Sequence, residues 1–371
     1  MSQIPLARKL FPSLLVIALS STAAHSAPSI SNISTSSDGN SIVINGSGFS
    51  SGPNVVLFDN FESGSQDGAP IGLESPNYGT WSSYGGDGQA KYAKESDGNT
   101  GFYVRDFAAG GKGLAQLIKV FDRSYSTIYF SFSAKVPEGN TFAGSSSPKS
   151  FPNVSSWKLS WLMSGSTGYN SGDGNFDLCI PTHVGYGAFQ VGGNDGVLSW
   201  VDDGDQWWSW TDFNDISYYM DYGSSINWVL NFNSGKGFHT RSGNESSSKL
   251  GGNGTFDRIN MPGWWGNGDN SNFSGIYDNI YIAVGNNSLS RVMITNSSTI
   301  SNSTRSITVP PSNWGSSQIQ VNADVIPDWS NLYVHVSDSS GNMTSQGYPL
   351  DEVPTSSCPQ CPSPPSNPVI Q

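Results

Sequence analysis

Short runs in which apolar and polar residues alternate recur along most of the chain, separated by clusters of Gly, Asn, Ser and Pro. Side chains of a β-strand point alternately to the two faces of a sheet, so this pattern predicts strands with one dry and one wet face. Long runs with the period of an α-helix are absent from the sequence. We therefore expect an all-β protein built from antiparallel sandwiches.

The run 127–135, TIYFSFSAK, shows the alternation most clearly. Its apolar positions are expected to face a core. Its other positions are expected to face water, and these are Tyr129, Ser131, Ser133 and Lys135.

The first 26 residues have the features of a secretory signal peptide. Arg8 and Lys9 precede a short apolar run, and Ala24 and Ser26 place small residues at both positions that specify cleavage. No later run reaches the roughly 18 consecutive apolar residues that a membrane-spanning helix needs. We expect a secreted, extracellular protein without a membrane span.

The charge of the chain restricts its partners. The formal net charge is −12 at pH 7, and loss of Arg8 and Lys9 with the signal would make it −14. Nucleic acid is disfavoured as a partner because phosphate binding needs clustered Lys and Arg. Strongly acidic polymers are disfavoured for the same reason, unless one local patch is basic.

The segment 28–58 contains a proline-led strand, a glycine turn, an alternating apolar strand and the sequence GSGF. It resembles the start of an IPT/TIG domain, which is an immunoglobulin-like sandwich. The matching positions are Pro28, Ile30, Ile33, Gly39, Ile42, Val43, Ile44, Gly46, Gly48 and Phe49. The segment 287–350 resembles the second half of the same fold. The resemblance implies one split sandwich made of both segments; the alternative is an N-terminal extension and a separate C-terminal domain.

The intervening segment 59–286 has the size of a concanavalin A-like jelly roll. It begins FDNFESG and ends GIYDNIYIAVG, and this pairing of first and last strands resembles the lectin/glucanase sandwiches. The resemblance implies a jelly roll inserted in, or flanked by, the smaller sandwich. The tail 351–371 is rich in Pro and Ser, which predicts a flexible linker or anchor. Its Cys358 and Cys361 could form a short disulfide or link chains, so oligomers or surface assembly stay open.

Two segments combine tryptophan with acidic and amide residues, VDDGDQWWSWTDF at 201–213 and MPGWWGNGDNSNF at 261–273. Sugar rings stack on flat aromatic side chains, and Asp and Asn accept hydrogen bonds from sugar hydroxyls. If 207–210 is a strand, Trp208 and Trp210 share one face and Trp207 points the other way. The predicted glycan-binding residues are Trp207, Trp208, Trp210, Asp203, Asp205, Trp264, Trp265 and Asp269. The alternative is that the tryptophans fill the core.

Catalytic residues are less evident. Retaining glycosidases of the jelly-roll type need two neighbouring glutamates, whereas no two glutamates of this chain lie within ten residues. A polysaccharide lyase instead needs a base and a cation or amide that neutralises a uronate carboxylate. The candidates for these roles are His183, Tyr186, His239 and Arg241.

The resemblance to concanavalin-like domains also implies a structural calcium ion. Such domains often hold one near their paired terminal strands, and calcium takes carboxylate oxygens as ligands. The acidic residues of the corresponding strands here are Asp59, Glu62 and Asp278.

Three functions therefore compete. The first is a secreted protein that binds extracellular or cell-surface glycans through exposed Trp/Asp loops of the jelly roll. The second is a polysaccharide lyase or glycoside hydrolase, which predicts that His183 or His239 shares a groove with the tryptophans. The third is a structural or adhesive surface protein without sugar binding, which predicts buried tryptophans and an exposed sheet edge or apolar patch.

Overall fold

The computed structural model describes residues 26–64, 66–86, 90–94, 100–103, 115–135, 157–163, 176–180, 189–193, 196–201, 204–249, 254–262, 264–265 and 275–350. Its strands are, in chain order, β1 Ser29–Thr35, β2 Ser41–Ser47, β3 Asn54–Asp59, β4 Tyr78–Gly79, β5 Ser83–Gly86, β6 Lys91–Lys94, β7 Thr100–Tyr103, β8 Ala115–Tyr125, β9 Thr127–Lys135, β10 Trp157–Met163, β11 Phe176–Ile180, β12 Phe189–Gly193, β13 Gly196–Val201, β14 Asn214–Tyr222, β15 Ser225–Ser234, β16 Gly237–Ser246, β17 Phe256–Met261, β18 Trp264–Trp265, β19 Ile276–Val284, β20 Arg291–Thr295, β21 Ser306–Val309, β22 Pro311–Trp314, β23 Gln318–Asn322, β24 Tyr333–Ser337 and β25 Tyr348–Pro349. One short helix, α1, spans Gly204–Trp207, and 3₁₀ turns span Ser247–Lys249, Ile300–Asn302 and Ala323–Val325.

The prediction of an all-β protein is confirmed, because antiparallel sheets make up nearly all of the regular structure. No helix in the described ranges is long and apolar enough to span a membrane. The larger sandwich consists of an eight-stranded and a nine-stranded sheet. The eight-stranded sheet has the order β13-β12-β11-β10-β17-β8-β5, with β18 beside β10. The nine-stranded sheet has the order β16-β15-β14-β9-β19-β3-β4, with β7 beside β19 and β6 beside β7.

The smaller sandwich combines strands from both ends of the chain. Its sheets have the orders β1-β2-β23-β22 and β21-β20-β24-β25. Strand β2 pairs with β23, with Ile44 opposite Ile319, so the segment 29–47 lies in the same sheet as a strand more than 270 residues later. The chain leaves this sandwich after β2 and returns to it at β20.

Strand β3 lies elsewhere than the sequence suggested. The segment 28–58 was assigned to the smaller sandwich, but β3 belongs to the nine-stranded sheet, where Leu57 is opposite Ile282. The strand contributes to both cores: Leu57 belongs to the larger core, whereas Val55 and Phe58 belong to the core that includes the smaller sandwich. A bulge between Val55 and Leu57 breaks the strict alternation.

The larger core is rich in aromatic side chains contributed by both sheets. Its largest members with almost no exposed surface include Trp81, Trp208 and Trp228. Phe130 of β9 stacks on Tyr218 of β14, with ring centroids 4.9 Å apart. Such a pair adds about 0.5–1.5 kcal/mol beyond the area that it buries.

The prediction of a wet face for β9 is wrong. Residues 127–134 are all buried, because the smaller sandwich packs on the outer face of the nine-stranded sheet. Tyr129 packs edge-to-face on Tyr281, and its hydroxyl is 2.9 Å from Thr308 Oγ1 of the smaller sandwich. The protein is therefore layered, with the smaller sandwich first, the nine-stranded sheet next and the eight-stranded sheet last.

Candidate functional site

The outer face of the eight-stranded sheet carries a row of aromatic and polar residues. The register of strands β18, β10, β11, β12 and β13 aligns Trp264, Lys158, Cys179, Gln190 and Trp200 in one line, which we call the outer row. The neighbouring line contains Leu178 opposite Val191, and Val191 belongs to the larger core. Because successive residues of a strand lie on opposite faces, the outer row lies on the face away from that core.

A second row runs beside the first on the same face. Trp161 of β10 is in register with Asn260 of β17 on one side and Asp177 of β11 on the other. The adjacent residues Leu162 and Ile259 are in register and belong to the larger core, so Trp161 and Asn260 point away from it.

Asn260 has an unmet hydrogen-bonding group. Its side chain is 2% exposed, and its Oδ1 has no hydrogen-bond partner in the described part of the chain. A buried amide oxygen without a partner costs about 1–3 kcal/mol.

The predicted tryptophan platform at 207–210 is not a strand and is not exposed. Trp208 has no exposed surface, Trp207 is 8% exposed, and only Trp210 is partly exposed. Trp208 packs against Phe232 and contacts Trp210 edge-to-face. The expectation that Trp208 offers its ring to a ligand is therefore wrong. Trp207 and Trp208 instead fill the larger core, as the alternative prediction for this segment has it.

Local hydrogen bonds explain why this segment turns instead of extending. The chain leaves α1 at Trp207, and the Asn214 side chain then closes a turn: its Oδ1 accepts from Ser209 N at 2.7 Å, and its Nδ2 donates to Ser209 O at 2.9 Å. Ser234 Oγ donates to the carbonyl of Trp207 at 2.6 Å. These bonds hold the tryptophans against the open side of the larger core, where α1 links β13 of one sheet to β14 of the other.

The candidate catalytic residues do not form a group in the described ranges. His239 lies on β16, at the edge of the nine-stranded sheet, and its ring stacks on Trp207 with centroids 4.9 Å apart and 9° between planes. Its Nε2 is buried without a partner. Arg241 lies on the same strand with its side chain exposed. His183 and Tyr186 lie outside the described residues. His239 thus contacts Trp207, as a shared groove would require, but the Trp207 ring covers one face of the imidazole.

The remaining predicted ligand-binding residues are described only in part. Asp203 and Asp269 lie outside the described residues. For Asp205, Trp264 and Trp265 the structure gives the backbone alone. Trp264 pairs with Lys158 and Trp265 with Trp157, so the two tryptophans occupy opposite faces of the sheet, and only Trp264 lies in the outer row.

The three predicted metal ligands lie near one another at the junction of the two sandwiches. Glu62 and Asp278 line a cleft of about 380 Å³, together with Arg305, Asp324 and Trp329. Burial raises the pKa of Asp278 well above its usual range, and the nearby carboxyl groups of Glu62 and Asp59 raise it further.

Asp59 lies behind this cleft and is almost fully buried. Its carboxylate accepts hydrogen bonds from Phe61 N at 2.9 Å and from Trp81 Nε1 at 2.8 Å. Burial nevertheless raises the pKa of Asp59 to about 6.

A calcium ion at these carboxyl groups would have to share oxygens that already accept hydrogen bonds. Both oxygens of Asp278 already accept hydrogen bonds from Asn279, at 2.7 and 2.8 Å, and both oxygens of Asp59 have protein donors. Within the described ranges, no three His, Cys, Asp or Glu side chains are grouped so that they could hold a metal ion. Calcium at Asp59, Glu62 and Asp278 stays a prediction.

Apart from Trp264, the outer row was not predicted, because its residues are spread over five strands. Lys158, Cys179, Gln190 and Trp200 are 10 to 21 positions apart along the chain and meet only through strand pairing. One signal was available: WKLSWLM and FDLCI interrupt apolar strands with polar residues at alternate positions. The order in which the strands pair, which decides what lies beside what, is not visible in these runs.

No model of a known protein family matches the chain, and no curated protein matches it. Solved structures with a similar fold include alginate lyase Aly36B, which is 11% identical over 62% of this chain and 97% of its own, with a TM-score of 0.38. The endo-β-1,4-glucuronan lyase from the fungus Trichoderma reesei is 10% identical over 60% of this chain and 95% of its own, with a TM-score of 0.37. Lectin II from Ulex europaeus is 11% identical over 61% of this chain and 97% of its own, with a TM-score of 0.35. Similarities this distant transfer no activity to the chain.

Proposed function

We propose that the protein binds polysaccharide on the outer face of the eight-stranded sheet. The observation that carries the proposal is the outer row, in which Trp264 and Trp200 bracket Lys158, Cys179 and Gln190. Aromatic residues offer stacking surfaces for sugar rings, and amide and ammonium groups offer hydrogen bonds to their hydroxyls.

The dimensions of the outer row suit an extended polymer. Neighbouring strands lie about 4.8 Å apart, so a row over five strands extends for about 19 Å. The second row adds Asp177 on the same face, whereas Trp161 and Asn260 of that row are only 4% and 2% exposed. A chain of sugars crossing the strands would meet several such positions, whereas a small ligand would use one.

The charge of the face favours a neutral or weakly acidic polysaccharide. Lys158 of the outer row is matched by Asp177 of the second row, and the chain carries a net charge of −12. A strongly acidic polymer would be repelled by the molecule as a whole, except where Lys158 or Arg258 offers a local positive charge.

A polysaccharide lyase is the second candidate, and the composition of the outer row favours it over a hydrolase. Lys158 and Gln190 are separated by one strand, so their Cα atoms are about 10 Å apart. A lysine can remove the proton next to a uronate carboxylate, and an amide can hydrogen-bond that carboxylate. The electron pair left behind would form a double bond as the glycosidic C–O bond breaks and the leaving sugar takes up a proton.

A secreted location and an IPT/TIG-like smaller sandwich belong to the same proposal. The pairing of β2 with β23 and the burial of Phe49 in the smaller core support a sandwich built from both ends of the chain. Such a sandwich would hold the larger one away from a surface or a neighbouring domain.

Affinity electrophoresis in gels that contain different polysaccharides tests the proposal. We expect one neutral or weakly acidic polysaccharide to retard the protein, and Trp200→Ala to reduce the retardation at least about tenfold, as loss of a stacking anchor does. The control is Tyr78→Ala, which removes an aromatic side chain that is 45% exposed on the nine-stranded sheet. Unchanged mobility in every gel, for a folded protein, would favour a structural or adhesive role. Unsaturated products, lost in Lys158→Met, would identify a lyase.

A further inference from the structure

A second, unassigned cavity lies between the two sandwiches. Its volume is about 120 Å³, and it is lined by side chains of both, among them Ser131 and Asn233 of the nine-stranded sheet and Arg291 and Thr308 of the smaller sandwich. Three of these residues are more than nine-tenths buried and carry a polar atom that has no hydrogen-bond partner among the described residues. The atoms are Ser131 Oγ, Asn233 Oδ1 and Arg291 Nε.

Arg291 brings an uncompensated positive charge to the cavity. Its side chain is 7% exposed, and its Nη1 donates to Leu289 O at 2.7 Å and to Ser337 Oγ at 3.3 Å. The guanidinium also lies over the Tyr129 ring, 4.6 Å from its centroid. In the part of the chain that the structure describes, Arg291 forms no ion pair. A buried guanidinium cannot lose its proton, so its charge calls for a counter-charge.

The nearest acidic residue in the cavity wall is already neutralised. Asp215 Oδ2 accepts from Arg305 Nε at 2.8 Å and from Ser306 N at 2.7 Å. Its Oδ1 accepts from Ser133 Oγ at 2.6 Å. Asp215 and Arg305 thus form a pair of their own, and Arg291 remains the unmatched charge of the cavity.

The other two unpartnered atoms define what else the cavity can hold. Asn233 Nδ2 donates to Ser303 Oγ at 2.7 Å, and Ser303 Oγ in turn donates to Ile300 O, which fixes the amide with Oδ1 as the free acceptor. Ser131 can donate or accept. Two donors and one acceptor therefore remain, which suits a small anion accompanied by a water molecule.

We propose that this cavity binds a small monovalent anion, a halide or a carboxylate no larger than acetate, between Arg291 and Ser131. The volume of about 120 Å³ leaves room for such an ion and several waters, because a cavity of about 10–15 Å³ already holds one water. The anion neutralises Arg291 and joins the nine-stranded sheet to the smaller sandwich. Water bound to Asn233 Oδ1 completes the hydrogen bonds.

Thermal unfolding of the full chain with acetate or acetamide tests the proposal, since the two probes share a shape and differ in charge. We expect acetate at about 100 mM to raise the unfolding midpoint by about 2 °C or more in a saturable manner, and acetamide to leave it unchanged. Arg291→Met should abolish the acetate effect. The control is Arg123→Met, which removes an exposed arginine that also lies over a tyrosine ring.

Equal shifts with acetate and acetamide, or an undiminished acetate effect in Arg291→Met, would show that the stabilisation does not come from an anion bound by Arg291 and would overturn the proposal. If Arg291→Met does not fold, crystals of the unaltered protein in sodium bromide decide the question. An anomalous bromide peak beside Arg291 Nε and Ser131 Oγ is expected. A cavity that contains water and no bromide would contradict the proposal.

Discussion

Asp59 shows how a buried carboxyl group contributes to the pH dependence of the fold. Strand β3 ends at this residue, and its side chain holds the turn that follows by accepting from Phe61 N, while Trp81 Nε1 donates to its other oxygen. Burial outweighs these two hydrogen bonds and raises the pKa of Asp59 to about 6. The folded protein therefore keeps this proton at pH values at which the unfolded chain has lost it.

The sign of the effect on stability follows from that difference. Between about pH 4 and pH 6 the folded state binds more protons at Asp59 than the unfolded state, so the free energy of unfolding falls as the pH rises. The loss attributable to Asp59 is about 3 kcal/mol. Across this pH range, we expect the free energy of unfolding of Asp59→Asn to fall by about 3 kcal/mol less than that of the unaltered protein, as measured by chemical denaturation. Exposed Asp67 provides the control, and Asp67→Asn should follow the unaltered protein.

Calcium would change this result in a recognisable way. An ion bound by Asp59, Glu62 and Asp278 would hold their carboxylates ionised, so the fall in stability between pH 4 and pH 6 would disappear when calcium is added. The hydrogen bonds that already occupy Asp59 and Asp278 favour the opposite outcome, in which the pH dependence is the same with calcium and with a chelator. Identical pH dependence in Asp59→Asn and the unaltered protein would contradict the burial argument itself.

Strand β9 shows why one element can serve two cores. Phe130 and Phe132 face the larger core, whereas Tyr129 faces the smaller sandwich. A polar residue that alternates with apolar ones is normally placed in water. Here Tyr129 is 2% exposed, and its hydroxyl is paired with Thr308.

Truncation of Tyr129 measures this second contact. We expect Tyr129→Ala to lower the free energy of unfolding by about 3–5 kcal/mol, because a large buried ring is lost and a cavity remains. Tyr129→Phe should cost about 1–2 kcal/mol, since it leaves Thr308 Oγ1 without its partner. Tyr78→Ala, at an exposed ring, should change stability by less than about 0.5 kcal/mol. If Tyr129→Ala were as stable as Tyr78→Ala, the contact between Tyr129 and the smaller sandwich would be contradicted, and β9 would have only one buried face, as its sequence suggests.

The strands themselves were largely predictable, whereas their surroundings were not. Alternation and turn residues located β9, β10, β15 and β19 because these signals are local. The burial of Tyr129 depends on distant parts of the chain, such as Thr308, which lies 179 residues later, and no local pattern records it. The prediction of an exposed strand at 207–210 is wrong for a different reason. The tryptophans of this segment suggest a strand face, but the side-chain hydrogen bonds of Asn214 turn the chain and direct Trp208 into the core.

In the candidate site, too, the residues could be read from the sequence, whereas their spatial arrangement could not. Each residue of the outer row was visible in the sequence, but only strand order brings Lys158, Gln190 and Trp200 into line. The tryptophans that are close in sequence, Trp207 and Trp208, became core residues. Proximity along the chain was thus a poor guide to the proposed binding face, because in a sandwich the residues of one face come from many strands.

At the scale of the whole molecule, the two sheets of the larger sandwich differ in what packs on their outer faces. The nine-stranded sheet is covered on both faces, by the larger core and by the smaller sandwich. The eight-stranded sheet has its outer face at the far end of the stack, with its outer row aligned across five strands. Under the proposed function, a long polymer binds on this outer face, on the side of the molecule away from the smaller sandwich.

Hydrogen exchange measured with and without a polysaccharide that retards the protein tests this claim most directly. We predict that the ligand slows exchange in β10, β11, β12 and β13, and leaves the smaller sandwich and the segment 204–213 unchanged. Protection of 204–213 without change in those four strands would contradict the claim and return the binding site to the tryptophan loop.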